Sequence, residues 1–186
     1  MPAFLANLVG ICRFRRGPED MPYSLPLLLG LLVACGALQV GFNLYNGASP
    51  GVAVAVLVGG LGLLGALYLL LRGRDKAARF VQTTTALAAV YLVFGIVIDV
   101  MVSALSLEAL SKQVLAHPDH PPALTPAQTL MVPVVVALVV WQFCVFVGIL
   151  RRALEFPVAG AVLALLLLFV VDWFVASLVA SLLGVI

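Results

Sequence analysis

Charge is scarce in this chain. Asp, Glu, Lys and Arg make up 10% of its 186 residues, against about 25% in a soluble domain. A globule wetted on all sides cannot be built from so few charges, and a soluble fold is excluded. Lysine occurs twice (Lys76, Lys112) and histidine twice (His117, His120), and none of the four lies in an apolar run. A retinal Schiff base needs a lysine inside a span, and a b-type haem needs histidines facing a bundle interior, so both are excluded. The three cysteines, Cys12, Cys35 and Cys144, are odd in number and lack CxxC spacing. They read as small hydrophobes rather than a disulfide framework or zinc site. A glycine-rich phosphate loop, an HExxH pair and a Cys–His pair are also missing, and Ser103, Ser177 and Ser181 have no histidine base on their helices. The expectation is a protein without catalytic residues, cofactor or metal.

Apolar residues, by contrast, make up 64% of the chain and mean hydropathy is +1.22. A helix needs about 20 apolar residues, at about 1.5 Å rise each, to cross about 30 Å of hydrocarbon. Five segments qualify: 25–45, 51–71, 80–105, 129–150 and 157–185. The fold class expected is therefore an all-α integral membrane protein of five transmembrane helices, the 25–186 membrane domain, preceded by a 1–24 arm. Asn46-Gly47-Ala48-Ser49-Pro50 is a tight polar turn that makes the first two spans a hairpin.

The arm starts with an apolar stretch, but its basic residues follow rather than precede it, which argues against a cleaved signal. Phe4, Leu8, Ile11 and Arg15 share one helical face, so a short interfacial amphipathic helix is expected, broken after Arg16 by Gly17 and Pro18. Nine of the ten basic residues fall on the arm, the second loop and the fourth loop; only Lys112 lies on the other side. Because Lys and Arg are retained in the cytoplasm, the N-terminus is expected inside and the C-terminus outside. Arg72, Arg74, Lys76, Arg79, Arg151 and Arg152 form a basic rim on the inner face, suited to anionic lipid headgroups or an acidic partner.

Two ionisable groups lie within spans, where an Asp costs about 2.5–3.5 kcal/mol at a helix centre. By helical rise Asp172 stands roughly 22 Å along the fifth span and Asp99 roughly 28 Å along the third. Their expected partners are the amides Gln39 and Asn43, four residues apart on one face of the first span. A polar cluster of Gln39, Asn43, Asp99 and Asp172 leaves three readings open: structural glue, an ion pair to another membrane subunit, or a proton or cation path. Gln82 and Thr83 to Thr85 follow the basic loop and can bond to carbonyls a turn earlier or bridge to a neighbouring helix. In the outer loop, 106–128, Glu108 pairs with Lys112, and His117, Asp119 and His120 are metal-ligand types in a proline-rich stretch that reads as an ordinary loop. Trp141 is expected to pack on a neighbour, while Trp173 and Tyr45 suit the outer interface. Small residues mark helix contacts: Ala55, Gly59, Gly62 and Ala66 in the second span, Ala176 and Ala180 in the fifth.

Arg16-Gly-Pro-Glu-Asp-Met-Pro-Tyr23 entering the first span, Arg79-Phe-Val-Gln-Thr-Thr-Thr85 opening the third and Ile149-Leu-Arg-Arg-Ala-Leu154 closing the fourth carry a family likeness. With the short arm and five spans, this order resembles the Yip1-like membrane proteins in their small bacterial versions. The resemblance implies a cytoplasmic-membrane protein that associates with other membrane components and has no catalytic residues to transfer. The functional expectation is an accessory, scaffold or assembly subunit binding other membrane proteins, or further copies of itself, and anionic lipid. A small proton- or cation-coupled transporter using Asp99 and Asp172 is the alternative.

Overall fold

The computed structural model describes residues 2–105 and 125–185, and Leu115 between them. They form six α-helices: α1 (Pro2–Cys12), α2 (Leu25–Tyr45), α3 (Pro50–Arg72), α4 (Phe80–Leu105), α5 (Pro126–Leu154) and α6 (Val158–Leu182). The described residues contain no strand. Helices α2 to α6 are each long and apolar enough to cross a membrane, and the chain is an all-α, multi-pass membrane protein. The readings placed on Glu108, Lys112, His117, Asp119 and His120 lie outside the described residues.

Local chemistry starts three of the spans in the same way, with a hydroxyl cap followed by proline in the first turn. Ser24 Oγ accepts from Leu27 N (3.4 Å) ahead of Pro26, and Ser49 Oγ accepts from Val52 N (3.4 Å) ahead of Pro50. Thr125 and Gln128 close a reciprocal capping box around Pro126. The hydroxyl satisfies an amide that has no partner within the helix, and proline gives up no bond there. That box starts α5 three residues before the 129–150 expected from hydropathy. The helix also runs on through Arg151 and Arg152 until Glu155 turns left-handed (φ 55°).

The five spans pack in a ring. The most extensive pairing is α3 with α6, followed by α4 with α5 and with α2; α5 then packs on α6, and α2 closes on α3. Consecutive α3 and α4 scarcely touch although α5 and α6 pack well, so the two hairpins with basic turns are not equivalent units. The α3–α6 seam depends on Gly59: a Cβ there would lie 2.8 Å from Asp172 O and 3.0 Å from Ala176 Cβ. The small-residue faces expected of both helices meet here, and backbone comes against backbone.

Close packing concentrates at the end of the bundle that carries the basic residues. One core joins Leu67 and Leu71 of α3 to Leu150 and Leu154 of α5 and to Ala161 and Leu168 of α6. A second seats Leu8 and Ile11 of α1 against Ala86, Ala89 and Val90 of α4 and Val145 and Ile149 of α5. The expected face of α1 is thus the buried one. Leu5 and Val9 on its other side are more than half exposed, and nearby Phe14 about half, so a second apolar surface of the arm is left uncovered by the rest of the fold.

Candidate functional site

Two sites lie at different depths. The first is a cavity of about 300 Å³ enclosed by the ring of spans, at the lower end of the ~300–1,000 Å³ typical of small-molecule sites. Its wall is mainly leucine, with the rings of Tyr91, Phe146 and Phe169 and the polar side chains of Cys35, Gln39, Thr84 and Asp172. Measured along each helix from the basic end, Thr84 stands at about 6 Å, Tyr91 at about 16 Å, and Gln39 and Asp172 at about 21 Å. The Asp172 carboxylate sits over Gly59, where a Cβ would come within 3.1 Å of its Oδ1. Tyr91 of α4 and Gln39 of α2 share this wall.

The four residues expected to cluster divide into two levels. Gln39 and Asp172 share the cavity wall. Asn43 and Asp99 stand at about 27–28 Å on the same measure and do not line it. Asn43 Nδ2 is turned back on its own helix, donating to Gln39 O (2.9 Å), as short amides in helices often do. The α4 residue that shares the wall with Gln39 and carries a hydroxyl nearest its level is Tyr91, which hydropathy hides: a tyrosine counts as apolar, yet a hydroxyl inside a span needs a partner. That requirement was a usable signal. Cys35, Phe146 and Phe169 carried none, because only the helix rotations bring them to one wall.

The threonines after the basic loop separate by role. Thr85 Oγ1 donates to Val81 O (2.7 Å), the back-bond expected of it. The Thr83 and Thr84 hydroxyls are buried and unpartnered among the described residues, and Thr84 lies on the cavity wall. Gln82 Nε2 bridges out of its helix to Glu19 O (3.2 Å) and Met21 O (2.8 Å), locking the arm to α4.

The second site is at the basic end, where the rim residues also divide. Lys76 Nζ and Arg79 Nη2 both pair with Glu155 (2.8 and 3.0 Å), and the two cations hold its carboxyl below the usual carboxylate range. Arg79 Nη1 donates to Arg152 O and Ala153 O (3.3 and 3.5 Å), capping the negative end of α5. Arg74 lies 5.0 Å over the Phe156 ring, a cation–π contact. Lys76 and Arg79 therefore stitch the fold together.

Arg151 and Arg152, with Arg16 of the arm, instead surround a cleft of about 120 Å³ walled by Ile11, Phe14, Val145, Gly148 and Ile149. Arg152 Nη2 donates to Phe14 O (3.1 Å) and lies 3.7 Å from Glu19, while Arg16 donates to Asn7. Arg151 is exposed and unpaired among the described residues. Phe14 is left-handed (φ 59°), a conformation that costs a bulky residue about 1–2 kcal/mol. Three contacts hold it: its own N–H donating to Ile11 O (2.9 Å), the Arg152 bond, and its ring against Gly148, 3.5 Å from where a Cβ would stand. Trp141 also meets the arm, Nε1 donating to Cys12 O (3.0 Å), so its expected packing partner is α1. Burial pushes the Cys12 thiol above its ordinary value.

No family model, curated protein or solved structure matches this chain.

Proposed function

We propose that this chain is a non-enzymatic accessory, scaffold or assembly subunit of a bacterial cytoplasmic membrane, with its N-terminus inside and its C-terminus outside, of the Yip1-like kind. Its basic end binds anionic lipid headgroups and the acidic surfaces of other membrane proteins. The observation that carries this reading is the cleft of Arg16, Arg151 and Arg152, where three guanidinium groups face a small cavity at the boundary between apolar wall and basic rim. A lipid phosphate can accept forked bonds there while its acyl chains run along Phe14 and Val145. Nine basic residues at one end of the bundle fit a cytoplasmic placement of that end.

The test is thermal unfolding in nanodiscs of phosphatidylcholine with and without phosphatidylglycerol. Anionic lipid raises the midpoint of the wild type, and Arg16→Gln with Arg151→Gln removes most of the rise. An equal midpoint in both lipids refutes the lipid part. Mild-detergent extraction followed by mass spectrometry tests the subunit part, which fails if the chain migrates alone. The transporter alternative has one observation in its favour, the Asp172 carboxylate on the cavity wall. Asp99 lies off that wall, and proteoliposome flux lost in Asp172→Asn is the result that would favour it.

A further inference from the structure

We propose that the cavity among the spans is an equilibrium binding site for a lipophilic organic monocation, an ammonium or phosphonium carried on an aromatic or alkyl body, which enters sideways from the bilayer. The reading stands apart from the basic end and requires no transport.

The charge of Asp172 selects the ligand. Among the described residues it is the only carboxylate on the wall, and no Lys, Arg or His of this chain lies within the described spans apart from their basic ends. An anion is repelled, and a cation supplies a countercharge that the protein does not. Tyr91, Phe146 and Phe169 contribute rings to the same wall, and the negative faces of aromatic rings attract organic cations, most strongly where water is excluded. Gln39 and Thr84 add two further polar groups, the Thr84 hydroxyl being 2% exposed as a residue and without a partner among the described residues. A bare metal ion is a poor fit, because hard cations take about six or more oxygens and this wall is mostly leucine. A plain acyl chain would need none of the carboxylate, amide or hydroxyl groups, each of which is costly at this depth.

Entry follows from the wall residues of α3 and α6 that face outward. Leu57, Leu61 and Phe169 are both wall residues and exposed to the lipid phase. Gly60 lies on the wall between Leu57 and Leu61 of α3, and a Cβ there would meet nothing within 4 Å. Gly60→Leu therefore fills the opening without disturbing packing. Gly65 has the same open surroundings but is off the wall, and Gly65→Leu is the matched control.

The experiment is scintillation-proximity binding of radiolabelled tetraphenylphosphonium to the full-length chain in nanodiscs, with size-exclusion profiles confirming that each variant is folded. The wild type binds saturably at one site. Asp172→Asn weakens binding by about tenfold or more, Gly60→Leu abolishes it, and Gly65→Leu leaves it unchanged. Dodecyltrimethylammonium displaces the label and dodecanol does not. No saturable component, full affinity in Asp172→Asn, or Gly60→Leu behaving like Gly65→Leu overturns the proposal. Equal displacement by dodecanol also overturns it, and identifies an acyl-chain groove instead. If Asp172→Asn does not fold, the two glycine variants still decide the matter.

Discussion

Adding one methyl group at Gly59 tests the packing of the α3–α6 seam most directly. The new Cβ would lie 2.8 Å from Asp172 O, 3.0 Å from Ala176 Cβ and 3.1 Å from Asp172 Oδ1, where ordinary contact begins at 3.4 Å. A backbone carbonyl cannot swing away, so the helices must part by about half an ångström, and overpacking of this kind costs about 1–3 kcal/mol. Exchanging glycine for alanine in a helix returns about 1 kcal/mol of propensity. The net expectation for Gly59→Ala is a loss of up to about 2 kcal/mol, a fall in Tm of up to about 8 °C for a chain of this size. Gly60→Ala, one residue along, meets nothing within 4 Å and keeps only the propensity gain, raising Tm by a few degrees at most. Thermal unfolding in one detergent, followed by tryptophan fluorescence or circular dichroism, measures both. A Gly59→Ala protein at least as stable as Gly60→Ala refutes the argument, because the two differ only in what faces them.

Three further outcomes rest on different contacts. Thr84→Val removes a buried hydroxyl with no partner among the described residues and is expected to be neutral or stabilising by about 1 kcal/mol, whereas Thr85→Val deletes the bond to Val81 O but leaves only a carbonyl already bonded in its helix, a loss of about 0.5–1 kcal/mol; the same unfolding assay should order them Thr84→Val above Thr85→Val. Glu155 is held below the ordinary carboxylate pKa by Lys76 and Arg79, so its contribution is complete above about pH 4.3 and is lost as pH falls through the lower folded-state value. Glu155→Gln is therefore expected to flatten that part of the stability–pH curve and to leave a small deficit near neutrality; a wild-type curve with the same acid limb as Glu155→Gln contradicts the ion pair. Thr125→Ala opens the box that starts α5, at about 1 kcal/mol, and hydrogen exchange should quicken in the first turn from Pro126 while amides beyond Pro133 stay protected.

Composition and the length of the apolar runs were enough to determine an all-α chain of five spans, because a helix is the simplest structure that satisfies its own backbone in lipid. The ends of α2 (Leu25–Tyr45) and the start of α4 at Phe80 agree with hydropathy, since proline, a tight turn or the basic loop bounds the apolar run there. The extra turn at the start of α5 was also legible in Thr125-Pro-Ala-Gln128, a capping pattern that a hydropathy window does not weigh. The buried face of α1, the small-residue seam of Gly59 and Ala176, and the back-bonding of Thr85 are local patterns as well, readable from spacing alone.

Which helices become neighbours was not legible, and the candidate sites depend on that. Hydrocarbon surrounds every span equally, so an apolar face does not declare whether it will meet lipid or protein. Only the ring order brings Gln39 of α2 and Tyr91 of α4 to one wall, leaves Asn43 and Asp99 at another level, and gathers Phe146, Phe169 and Asp172 on that same wall. The basic rim shows the same division. Nine charges at one end follow from the orientation rule acting on sequence, but packing alone assigns Arg79 and Lys76 to the end of α5. It is packing, too, that folds the arm back until Arg16 stands beside Arg151 and Arg152.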